Sequence, residues 1–156
     1  MHNIPDSTPL IYYQHELRSR YSETDKMGYV YHAKFLEYFE VARVEMIRSY
    51  GINYSAMEDA GIMLPVTEAN VEFKSPVLYD EPIKIEVLVY ERPNIRMRTF
   101  YNVIAKERGV LCAKAQVTLF FMDEHTRKPT RAPSFFWINL TKQLSLQIKI
   151  NATYSV

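Results

Sequence analysis

Cysteine is nearly absent from this 156-residue chain: Cys112 stands alone, which excludes an intramolecular disulfide and any cysteine cluster for a metal. Charge of one sign is missing as well. The 19 Lys and Arg against 18 Asp and Glu leave a formal net charge of +1, without the basic footprint of a nucleic-acid or membrane-surface protein. Long apolar runs are also lacking. The most apolar stretch, Val110 to Met122, is broken by Lys114 and Gln116 and falls short of the roughly 18 residues a membrane helix needs. The opening MHNIPDSTPL has neither the basic region nor the apolar core of a signal peptide, so a soluble, cytoplasmic protein is expected. No internal repeat and no low-complexity run interrupts the sequence.

What is present is ordinary globular material, 47% hydrophobic and 24% charged. A domain of this length can bury roughly 70% of its unfolded surface, enough for one core. Residues 1–10 read as a loosely attached, disordered leader, residues 11–133 as the domain, and residues 134–156 as an extension packed on it. Ile11, Tyr13, His15 and Leu17 alternate with Gln14, Glu16 and Arg18, the pattern of a half-buried strand.

From about His32 to Tyr50 the period changes. Phe35, Phe39, Ala42, Met46 and Tyr50 recur at helical steps without an intervening Gly or Pro, and Gly51 supplies a stop. Residues 53–61 form a short connector. Four strands are then expected, over about 64–74, 83–92, 95–106 and 110–122, and the short links between them favour an antiparallel meander. One helix cannot cover both faces of such a sheet, so a homo-oligomer is expected. In the tail, Phe135 to Ile138 is too apolar for free solvent. An edge strand is expected over 144–151, with a helix across 134–144 as the alternative.

The segment Tyr21-Ser22-Glu23-Thr24-Asp25-Lys26-Met27-Gly28-Tyr29-Val30-Tyr31-His32 joins the first strand to the long helix. A helix start offers unpaired N–H groups and about half a positive charge, a setting that stabilises an oxyanion. A carboxylate held there is expected to stay ionised and to act as nucleophile or base. Those are the components of a hydrolytic site.

This order of elements, with Arg20-Tyr21, Thr24-Asp25, Gly28, Val30-Tyr31-His32, the helix run Phe39-Glu40-Val41-Ala42-Arg43, and Phe73-Lys74-Ser75-Pro76 followed by Asp80, resembles the hotdog-fold acyl-CoA thioesterases of the 4-hydroxybenzoyl-CoA thioesterase family. The likeness runs from about His15 to Pro133. It implies an α+β hotdog fold, a long central helix wrapped by an antiparallel sheet of five to six strands. It also implies acyl-CoA as substrate, no metal or prosthetic group, active sites at a dimer interface, and dimers that often pair into a homotetramer. By the same resemblance Asp25 is the catalytic carboxylate, the backbone N–H of His32 the oxyanion donor, and Tyr21 and the His32 side chain participants. Gly28 and Tyr31 belong to the substrate-binding part of the motif. Met27 departs from the smaller residue common at that place, which bears on the acyl group.

Thioester cleavage needs a nucleophile or activated water, a donor for the developing oxyanion, and a slot for the carbonyl carbon. Taken alone, Asp25 in Asp-Lys-Met-Gly reads as a turn or capping aspartate; the complete motif turns the reading to catalysis. Tyr21 is either a core aromatic or a positioning hydroxyl, and His32 is expected to be neutral at a helix start. Glu40 is a rival carboxylate, more simply explained by an ion pair with Arg43. For the CoA phosphates the candidates are Lys74, Arg92, Arg96 and Arg98, with Lys128 and Arg131 weaker; Arg96 and Arg98 share one strand face. A non-catalytic acyl-CoA or acyl-carrier binding protein is the alternative function.

Overall fold

Ile83, Ile85 and Val87 alternate with Lys84 and Glu86, and this segment lies inside the sheet of the computed structural model, which describes residues 4–142. The elements are β1 (Ile11–Arg18), a single 3-10 turn (Tyr21–Glu23), α1 (Lys34–Ser49), α2 (Tyr54–Asp59), β2 (Ile62–Met63), β3 (Val66–Phe73), β4 (Pro82–Val89), β5 (Arg96–Ala105), β6 (Val110–Phe120) and β7 (Met122–Asp123). Five strands form one antiparallel sheet in the order β1-β4-β5-β6-β3, and β2 pairs with β7. The expected α+β hotdog architecture is present.

Helix α1 crosses the inner face of this sheet. It buries Phe35, Phe39, Ala42 and Met46, which the helical spacing singles out, together with Tyr38 and Ile47. Phe39 is 1% exposed and stacks on Tyr101 of β5 with ring centroids 4.6 Å apart. Burying a side chain of that size stabilises the fold by about 1.5–3 kcal/mol. The helix stops at Gly51, whose φ of 76° is the left-handed backbone that few other residues adopt cheaply.

The expected meander holds for β4, β5 and β6 and fails for β3. That strand pairs with β6 at the far edge of the sheet, and β4 pairs instead with β1 and β5. The link over residues 74–81 spans three inter-strand spacings of ~4.8 Å, well within the reach of its residues. Pairing β3 with β6 leaves β4 free to meet β1. At the chain's other end, residues 134–142 are helical, with Phe136 and Leu140 buried and Phe136 edge-on to Phe121. The expected strand over 144–151 lies outside the described residues.

Candidate active site

Beyond β1 the chain makes the 3-10 turn and then doubles back as a narrow ribbon. Thr24 bridges Val30, the Tyr31 amide donates to Glu23 O at 2.8 Å, and the Asp25 amide donates to Tyr29 O at 2.9 Å. The tip is Asp25-Lys26-Met27-Gly28, closed by the Gly28 amide on Asp25 O at 3.0 Å. Gly28 has φ 76°, the backbone that lets the ribbon reverse. Asp25 Oδ1 also accepts the Met27 amide at 2.8 Å, an Asx turn. One carboxylate oxygen thus orients the side chain, and Oδ2 takes part in no hydrogen bond among the described residues.

The ribbon runs directly into α1. Lys34 donates to Tyr31 O at 2.9 Å and Phe35 to His32 O at 3.3 Å, so the helix begins two residues after His32. Among the described residues the amides of His32 and Ala33 meet no acceptor. They are orphan donors at the positive end of a 16-residue helix.

Aromatic rings surround this end. His32 lies against Tyr31 at 4.2 Å between centroids and edge-on to Phe73 at 6.4 Å. Tyr21 is 79% exposed, not a core aromatic, and meets Tyr79 edge-on at 5.7 Å. No hydrogen bond joins its hydroxyl to Asp25. Met27, Tyr29, Tyr31, Phe73 and Leu78 are exposed as well, an apolar rim around the turn.

The ribbon is anchored on both flanks. The Val30 amide donates to Val77 O at 2.8 Å and Tyr29 bridges Leu78, which ties it to the loop after β3. On the other side Glu23 accepts the Tyr38 hydroxyl at 2.6 Å.

A family model described as the thioesterase-like superfamily matches residues 19–140, a span that takes in the ribbon, the helix and every strand of the sheet but β1. The chain belongs to the thioesterase-like superfamily. It is 33% identical over 114 residues to the putative acyl-CoA thioesterase YneP of Bacillus subtilis, covering 73% of this chain and 82% of that protein. A putative esterase of Aquifex aeolicus is 36% identical over 107 residues, 69% of this chain and 80% of the relative. The crystal structure of a DHNA-CoA thioesterase from Staphylococcus aureus superposes with a TM-score of 0.77 at 33% identity, covering 93% of this chain and 96% of that one. Thioester hydrolysis is the class of chemistry that this superfamily membership brings.

In this thioesterase-like chain the candidate cations do not converge. Lys74 follows β3 at the same end of the sheet as the ribbon and pairs with Glu72. Arg96 and Arg98 lie toward the opposite end, as the pairing of Arg96 with Phe120 and of Arg18 with Pro82 requires. Arg96 sits over the Phe120 ring and Arg98 pairs with Glu91 at 3.4 Å. Arg92 sits over the Trp137 ring.

The expected Glu40–Arg43 ion pair does not form. Arg43 points inward at 4% exposure beside the Tyr54 and Tyr101 hydroxyls, while Glu40 stays on the outer face of α1. The two positions straddle the boundary between the helix's buried and exposed faces. Sequence reasoning also missed Ser19, Glu23, Tyr38, Glu81 and Arg108. Their partners lie 15 to 62 residues away, and no short motif announces such pairings.

Proposed function

We propose that the chain is an acyl-CoA thioesterase with Asp25 as the reacting carboxylate and the His32 amide as oxyanion donor. The observation that carries this reading is the placement of unpaired amides at the start of α1 immediately after the ribbon that presents Asp25. The relatives named for acyl-CoA and DHNA-CoA thioesters support CoA as the thiol carrier.

In one form of the reaction Asp25 attacks the thioester carbon, the C–S bond breaks, and CoA leaves as thiolate. Water then cleaves the mixed anhydride. In the other, Asp25 takes a proton from water, whose oxygen attacks the same carbon. Both routes place negative charge on the carbonyl oxygen, which the N–H of His32 takes up; losing such a donor costs about 10²–10³ in rate. Tyr21, Gly28 and Tyr31 frame the entrance. Lys74, Arg96 and Arg98 act on the CoA phosphates, and their spread over two ends of the sheet means that one chain does not bring all three to one phosphate.

A homo-oligomer completes this reading. Among the described residues, strand β3 has a neighbour on one side only, it is exposed along most of its length, and Phe73 at its end stands beside His32. A second copy seated there covers both the bare edge and the apolar rim.

Asp25→Asn keeps the shape of the side chain and removes its charge. It abolishes CoA release, followed with a thiol reagent, and leaves thermal unfolding unchanged; turnover like that of the parent refutes the assignment. One observation favours the non-catalytic alternative, since the Asx bond from Met27 is what a turn-forming aspartate makes. Tight acyl-CoA binding without thiol release, across short, long and aromatic acyl groups, establishes that alternative.

A further inference from the structure

The Asp25 ribbon owes its position to the loop beneath it, and that loop is held by charged groups far away in sequence. Glu81, 8% exposed, ends the loop just before β4. Its Oε2 accepts the Leu78 amide at 2.8 Å and Arg108 Nη2 at 2.8 Å, while Oε1 accepts Arg108 Nε at 2.5 Å. The guanidinium therefore forks onto both carboxylate oxygens, the strongest and most directional form of this pair. Arg108 Nη2 also donates to Pro76 O at 2.8 Å.

Ser19, 2% exposed, closes the loop from the β1 side. Its hydroxyl donates to Leu78 O at 2.6 Å and accepts the Glu81 amide at 3.0 Å, and its own amide donates to Glu81 O at 3.1 Å. Pro76 and Leu78 are thereby fixed by three side chains. Between them, Val77 O accepts the Val30 amide, and Leu78 itself bridges Tyr29. Tyr29 O in turn accepts the Asp25 amide. Hydrogen bonds joined by single steps along the backbone, Pro76 to Val77 and Val30 to Tyr29, thus lead from Arg108, in the β5–β6 turn, to the backbone of Asp25.

We propose that the Glu81–Arg108 ion pair is a positioning device for thioester hydrolysis, setting the loop of residues 76–81 on which the Asp25 turn hangs. Arg108 and Glu81 touch no reacting atom. They act through Val77 and Leu78, and the inference rests on Asp25 being the reacting carboxylate. A misplacement of about 1 Å at such a centre can cost roughly 10²-fold in rate, so a modest shift of this loop is visible in kcat.

The test compares Arg108→Met, Arg108→Lys and Glu81→Gln with the parent and with Asp25→Asn. Each is assayed well below its unfolding temperature for thiol release from acyl-CoA, and for hydrogen exchange at the Val30 amide. Arg108→Met lowers kcat about 10-fold or more with KM within about twofold, and speeds Val30 exchange. Arg108→Lys, which keeps the charge without the fork, recovers part of both, and the near-isosteric Glu81→Gln reproduces the losses should Arg108→Met fail to fold. Unchanged kcat in folded Arg108→Met and Glu81→Gln overturns the proposal, as does a fall in kcat without faster Val30 exchange. Full turnover in Asp25→Asn fails the reading of Asp25 itself, a result separate from the exchange measurement.

Discussion

Tyr38 of α1 donates its hydroxyl to Glu23 Oε2 at 2.6 Å, and the same oxygen accepts the Arg20 amide at 2.7 Å. The helix and the foot of the Asp25 ribbon therefore share one carboxylate. Burial, reinforced by the Glu23 charge, pushes the Tyr38 phenol well above its ordinary pKa, so it remains a donor across the physiological range. A hydrogen bond to a charged partner contributes about 1.5–3 kcal/mol. Tyr38→Phe removes it while keeping the ring in the core. The urea midpoint falls with an unchanged m-value; an unmoved midpoint means that this bond contributes nothing to folding.

Gly28→Ala separates the geometry of the turn from the packing around it. A Cβ at Gly28 meets nothing within 4 Å, so the whole penalty is the left-handed backbone, about 1–2 kcal/mol. For a chain of this length that lowers Tm by roughly 2–8 °C. Gly51→Ala, at a φ of 76° and equally open, bears a similar cost at the far end of α1. Gly28→Ala is expected to reduce kcat and Gly51→Ala to leave it intact. Equal kcat in the two variants would show that the turn's shape does not govern the chemistry.

Acid stability is expected to depend on Glu81. The Arg108 fork, helped by the Leu78 amide, holds its carboxyl below the usual glutamate range. A depressed folded-state pKa means that the unfolded chain binds the proton more readily. The resulting stabilisation is complete above the ordinary glutamate pKa of about 4.3, shrinks below it, and is gone once pH passes the folded-state value. The Tm difference between the parent and Glu81→Gln is therefore largest near pH 7 and narrows as the solution is acidified through pH 4. A difference independent of pH refutes the ionic account.

Much of this fold was legible because its signals are local. Alternation in Ile83 to Val89, helical spacing from Phe35 to Met46 and the glycine after Tyr50 report burial one residue at a time. The place of β3 was not legible, since an alternating strand carries no mark of its neighbour, and a link of this length serves more than one pairing. The inward turn of Arg43 was hidden for a similar reason. Its position on α1 lies at the border of the buried stripe, and the tyrosine hydroxyls beside it belong to segments distant in sequence. The motif from Tyr21 to His32 was readable as a candidate site because its members are contiguous.

By itself the sequence determined the long helix, the main strands, and a turn at Asp25 to Gly28 between the first strand and that helix. These depend on backbone preferences and on polarity that repeats over a few residues. Tertiary structure alone decided that β3 closes on β6, that Tyr38 reaches Glu23, and that Arg108 grips Glu81 beneath the Asp25 turn. Those contacts join segments whose separation along the chain leaves no trace in local composition. They arise only when the sheet brings its turns to a common end.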